Sequence, residues 1–349
     1  MKHNLCVSCF LLLLAASSCT PVNITPPISS TAASQVGMVD LTPIIFDDDG
    51  SPDGTTALLY LLSHPEVDLK AISISFGEAH PEIYIQHIGR ILDTFQITDI
   101  SLGYGQDSPL AGSAGFPESL RQVANNFWGL PIPNPEKVYP AQDSAELMVS
   151  ILNESSEPVV VFISGPCTNL AQALRLDPGI RNKIAAVFIM GGAVYVPGNT
   201  HDFFPDSENL VAELNFYGDP TAASEVLEAG LNVYLVPLDA TNQVTITQQD
   251  TNQWRTGGPI SDLAADIYDM LLGGPEAEMA IWDLMTAAIM LEPDLCEFQS
   301  LSLQVMTDEG NTSGQSAILP KGVPNVDVCL EPNAYLIRYT LNEIFSGDQ

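Results

Sequence analysis

Apolar residues gather in short runs, and most runs are followed by a stretch with helical spacing. Pro43-Ile44-Ile45-Phe46, 70–75, 158–163, 185–190 and 231–236 read as strands. The runs at 158–163 and 185–190 are almost wholly apolar, as strands are when both faces of a parallel sheet are covered. Helix-like segments lie at 55–63, 82–95, 220–228, 261–272 and 279–291. This alternation predicts an α/β fold: an open, mostly parallel sheet flanked by helices. No repeat or strong linker follows residue 40, so 41–349 reads as one domain, with peripheral strands and a loop over 298–322.

The first forty residues have a different pattern. Lys2 and His3 precede an apolar run, 10–16, that is too short for a good membrane span. Small residues follow, which is the form of a bacterial secretion signal. Leu14-Ala15-Ala16-Ser17-Ser18-Cys19 resembles a lipoprotein processing box, with Cys19 as the lipidated new N-terminus. Residues 1–19 are then a signal peptide and 20–40, rich in Pro, Thr and Ser, a tether. The expectation is an exported protein anchored to a bacterial membrane through lipid on Cys19, with plain secretion as the runner-up.

Composition narrows the partners. The 349 residues include 43 acids and 11 Lys and Arg, a formal charge of −32. Such a field repels a phosphate backbone and excludes general nucleic-acid binding. With 46% hydrophobic residues the chain can bury a large core, which excludes global disorder. Cleavage would remove Cys6 and Cys9. Cys167, Cys296 and Cys329 then form either one disulfide and a free thiol or three buried apolar positions.

In open α/β sheets the ligand sits beyond the carboxyl ends of the strands. The turns expected there are Asp47-Asp48-Asp49-Gly50-Ser51-Pro52-Asp53-Gly54, Gly77-Glu78-Ala79-His80, Ser164-Gly165-Pro166-Cys167-Thr168-Asn169 and Gly191-Gly192-Ala193. They make an acidic crevice. Close carboxylates do not all stay ionised without a counter-cation, and oxygen clusters suit calcium or magnesium. The spacing is not that of an EF-hand, whose twelfth-position glutamate would fall on Leu58. A helix cap at Asp53 with solvated neighbours is the competing reading. Glu213 and Asn215 offer acceptors and donors suited to sugar hydroxyls. Asp283 stands in an apolar stretch, where an acid is costly unless paired or metal-bound. Trp282 beside it is either core or a surface for a flat ligand.

These residues, in this order, resemble the inosine–uridine nucleoside hydrolases: Asp47-x-Asp49-Gly50-Ser51-x-Asp53, Ser164-Gly165-Pro166-x-Thr168-Asn169, Met190-Gly191-Gly192-Ala193, Gly198-Asn199, Ala212-Glu213-Leu214-Asn215 and Asp283. The resemblance implies cleavage of the N-glycosidic bond of a ribonucleoside with a bound calcium ion. It makes Asp49 the general base and a calcium ligand, with Asp283 and the Ser164 carbonyl as further ligands. Asp53, Glu213, Asn215 and Asn199 would hold the ribose, with Asn209 as a competitor of Asn199. Trp282, where most members carry His, and Glu78 after the second strand are similar to the purine-specific branch. That branch closes its pocket with a second tryptophan, where Leu120 stands here; Phe116, Phe127 and Trp128 are the substitutes at hand. The signature also has an acid, a calcium ligand, where this chain has Gly54. Calcium is then held less tightly, rebuilt with Asp48 or Asp53, or lost. The alternative to a hydrolase is a tethered nucleoside-binding protein that has lost catalysis. Members of the family are often dimers or tetramers, so a homo-oligomer is expected.

Overall fold

The computed structural model describes residues 41–112, 115–131 and 136–347. The segments read as a signal peptide and a tether, with Cys19, lie outside the described residues.

Seven strands run in chain order: β1 (Thr42–Asp48), β2 (Val67–Ile74), β3 (Ser101–Tyr104), β4 (Gln142–Asp143), β5 (Val159–Ile163), β6 (Ile184–Met190) and β7 (Val233–Val236). With Cys296–Leu301 and Val326–Pro332 they form a nine-stranded sheet. Its order is Cys296–Leu301, Val326–Pro332, β7, β6, β5, β1, β2, β3, β4. Every pairing is parallel except that between the first two strands. The strand order reverses between β1 and β5, so the crevice beyond their carboxyl ends is the place for a ligand.

Side chains alternate across the sheet with the two-residue period of a strand. Ile44, Phe46 and Phe162 face a layer holding α1 (Pro52–Ser63), α2 (Pro81–Thr94) and helices Pro259–Leu272, Asp283–Leu291 and Ala334–Ser346. Ile45, Val161 and Ile163 face Ser144–Glu154, Thr168–Leu176 and Pro220–Glu228. Both faces are covered, which is why the central runs are uninterrupted by polar residues.

One expectation fails and two readings are settled. The reading of 279–291 as one helix fails: Glu278–Ala280 is a strand paired antiparallel with Thr245–Thr247, and the helix starts at Asp283. The backbone N–H groups of Trp282 and Asp283 turn to donate to Asp53, at 2.8 and 2.6 Å. The apolar pattern runs through that break and hides it. The reading of peripheral strands and a loop over 298–322 holds: Cys296–Leu301 is the edge strand of the large sheet, and Leu303–Val305 and Ser316–Ile318 form a separate hairpin. Of the cysteine alternatives the first holds: Cys296 and Cys329 form a disulfide and Cys167 is free and buried.

Candidate active site

The carboxyl end of β1 delivers three consecutive acids into the crevice, all fully or almost fully buried. Asp47 accepts from Asn169 Nδ2 at 2.8 Å. Asp48 accepts from Ser164 Oγ at 2.9 Å and from the Gly50 N–H at 3.1 Å. Asp49 accepts from the N–H groups of Ser51 and Glu78, both at 3.2 Å. Two glycines make room for Asp49: a Cβ at Gly77 would stand 2.3 Å from Asp49 Oδ2, and one at Gly165 would stand 2.5 Å from Asp49 Cβ.

Ser51 then starts α1, its Oγ accepting the Gly54 N–H at 2.8 Å while Pro52 occupies the first turn. The same hydroxyl donates to Asp283 Oδ2 at 2.9 Å. Asp53, read as a possible simple cap, instead reaches across to the start of the Asp283 helix and also accepts from the Tyr268 hydroxyl. The start of α1 and the start of a helix more than two hundred residues later are thus sewn together by Asp53 and Ser51.

This cluster is short of positive charge. Burial pushes Asp47 and Asp48 up to about 7, and burial with the neighbouring Asp48 and Asp53 pushes Glu78 up to about 8. Burial first, then mutual repulsion, holds Asp49 and Asp283 well above the usual carboxylate range. Asp53 is raised by burial against four opposing hydrogen bonds. Among the described residues no three such groups stand in ready-made coordination geometry. The donor chemistry nonetheless fits a hard divalent cation, because every group is an oxygen and Asp283 Oδ1 is buried without a partner.

The turns after β5 and β6 supply the rest. Glu213 accepts from the N–H groups of Gly192, Asn215 and Phe216 at 2.9, 2.8 and 3.1 Å. Asn215 Nδ2 donates to the Met190 carbonyl at 3.2 Å and the Ser164 carbonyl at 3.4 Å, bridging the two strand ends. Asn199 accepts the Leu214 N–H at 2.9 Å, which ties it to the same turn. The competitor Asn209 is spent on the Val211 and Ala212 N–H groups of its own loop and, across the chain, on the Ser313 carbonyl.

The profile of the inosine-uridine preferring nucleoside hydrolases matches residues 44–336. The chain belongs to that family. It is 31% identical over 300 residues to the pyrimidine-specific ribonucleoside hydrolase RihA of Salmonella newport, covering 83% of this chain and 93% of that one. A solved inosine-uridine preferring nucleoside hydrolase from Bacillus anthracis is 27% identical and superposes with a TM-score of 0.76 over 88% of this chain and 99% of its own. A purine-preferring ribonucleoside hydrolase from Gardnerella vaginalis, at 23% identity and a TM-score of 0.77 over 88% of this chain and 98% of its own, shares the fold. The chain is an N-glycosyl hydrolase acting on ribonucleosides.

Two apolar patches border the acids along the chain. Trp282 is partly buried against Met190, Ala193, Val196 and Leu238. Leu120 packs with Phe76, Phe116, Leu214, Phe203 and Phe204. Phe127 and Trp128 belong elsewhere, packed on each other and on His87 and Tyr84 in the core. Phe127, fully buried, is therefore not a substitute for a second tryptophan; Trp128 is partly buried against Tyr84, whose ring lies beside Gly50. Phe203 and Phe204 were missed; their only signal is an aromatic pair within the insert 201–210. Tyr268 was missed as well, since a tyrosine in an amphipathic helix reads as core.

Proposed function

We propose that this nucleoside hydrolase cleaves purine ribonucleosides to free base and ribose with a calcium-associated water. The observation that carries the reading is the buried convergence of Asp49, Asp53 and Asp283 at the β1/β5 crevice. Asp48, Asp49, Asp283 and the Ser164 carbonyl are the groups that would hold the cation. When bound, the cation supplies charge that lowers the pKa of a water and offsets the acids.

The chain's own residues set the rest. Asp49 is the base that takes a proton from water at C1′ of the ribose. Several fixed donors hold the Asp53 and Glu213 carboxylates rigid, so that each would meet a ribose hydroxyl in a set orientation. Asn215 and Asn199 complete the ribose side, and Glu78 lies beside the same hydroxyl acceptors. Positive charge on the ribose in the oxocarbenium-like transition state is stabilised by these carboxylates. A single displacement by water inverts the anomeric centre.

Trp282 supports the purine preference, offering a large flat face to a bicyclic base. The name of the Salmonella relative favours a pyrimidine preference instead. The test is release of free base from inosine, guanosine, adenosine, uridine and cytidine with calcium present. Purine turnover well above pyrimidine turnover supports the proposal, and the reverse order overturns the preference. Binding without release from any of them would leave the riboside-binding alternative. We also propose export and lipid attachment at Cys19. The Cys296–Cys329 disulfide supports an oxidising compartment.

A further inference from the structure

We propose that Asp48 and Gly54 are the two halves of one exchange, in which Asp48 supplies to the cation the carboxylate that the family signature carries at position 54. This rests on the calcium reading above and names the chain-specific residue that would make it work. Gly54 lies in the first turn of α1, where a side chain would point at the acid cluster. A Cβ there would stand 1.8 Å from Asp48 Oδ1, 2.8 Å from Asp48 Cγ and 2.8 Å from Ser51 Oγ. The Asp48 carboxylate therefore fills the space in which any side chain at position 54 would begin. Gly54 is not among the glycines with positive φ, so its backbone does not call for glycine. What excludes a side chain is Asp48.

The signature leaves position 48 open and places an acid at 54; this chain does the opposite. The number of carboxylates is preserved, and their origin moves from the helix to the strand. Asp48 is held in that place by Ser164 Oγ on Oδ1 and by the Gly50 N–H on Oδ2. Ser164 is also the residue whose carbonyl is a candidate ligand. A second observation points to a cation at the same spot: Asp283, only 4% exposed, turns Oδ1 to no partner. A solvated capping role does not account for Asp48, which has no exposure at all.

The exchange makes a reciprocal prediction, read by calorimetric titration of the purified protein with calcium and by its melting temperature with and without calcium. Asp48→Asn keeps the size and the Ser164 contact, and lowers calcium affinity by at least about tenfold. Gly54→Asp alone collides with Asp48, lowers the melting temperature and gains no affinity. Asp48→Ala loses affinity by at least about tenfold, and Asp48→Ala with Gly54→Asp regains it to within about threefold of the parent, a non-additivity of at least about 0.7 kcal/mol. Unchanged affinity in Asp48→Asn overturns the proposal, as does a double variant no tighter than Asp48→Ala. The Asn variant decides alone if the double variant does not fold. A parent that hydrolyses nucleosides without binding calcium overturns the exchange and spares the hydrolase. A parent that binds calcium with the reciprocal pattern but releases no base does the reverse.

Discussion

Replacing Asp47 with Asn tests how the acidic crevice is stored in the folded chain. Asp47 sits beneath the site, where Asn169 Nδ2 donates to Oδ1 while Oδ2 has no partner. Asn169 also donates to Ser73 Oγ at 2.9 Å, and Ser73 to Ser144 Oγ at 2.6 Å, so the one bonded oxygen of Asp47 belongs to a short buried polar chain. Burial raises Asp47 from 3.8 to about 7, against hydrogen bonds that pull it down. Below the unfolded value both states are protonated and the folded state keeps its full stability. Between that value and about 7 the unfolded chain releases a proton that the folded chain retains, so stability falls as pH rises. Over that interval the loss is about 4 kcal/mol, at about 1.4 kcal/mol per pH unit. For a domain of this length that is about 6 °C in melting temperature. Calorimetric scans from pH 4 to 8 in chelator should show the parent falling about 6 °C further than Asp47→Asn. The neighbouring Asp48, which the Asp47 charge helps to raise, shifts with it, so the difference reports the Asp47 carboxyl together with its effect on Asp48. Parallel curves would refute the reasoning.

Two further outcomes follow from the geometry. Gly77→Ala places a Cβ 2.3 Å from Asp49 Oδ2 and must displace that carboxylate, so steady-state kinetics should show kcat/KM falling about a hundredfold while the fold survives. Reducing the Cys296–Cys329 bond opens a loop of sequence separation 33, and denaturant titration should show a loss of about 4 kcal/mol.

The strands at β1, β5 and β6 were legible because burial on both faces leaves an unbroken apolar run. The acid turn after β1 was legible because charge is otherwise sparse in such runs. The partners of that turn were not. Nothing local announces that Ser51 bonds Asp283, or that Asp53 breaks the apolar stretch at Trp282, because both contacts join ends of the chain. The role of Gly54 was hidden for a similar reason. A glycine in a helix reads as a weakness until the side chain that needs its space is placed beside it. The burial of Phe127 in the core likewise depends on packing that no spacing encodes.

In the proposed reaction Asp49, held between Gly77 and Gly165 just past β1, activates the water that cleaves the glycosidic bond. The most direct measurement is turnover of inosine by Asp49→Asn beside the parent, with calcium saturating and far-UV circular dichroism confirming the fold. The account predicts a fall in kcat of at least about a thousandfold with folding intact. A variant that cleaves inosine at the parent's rate would contradict it.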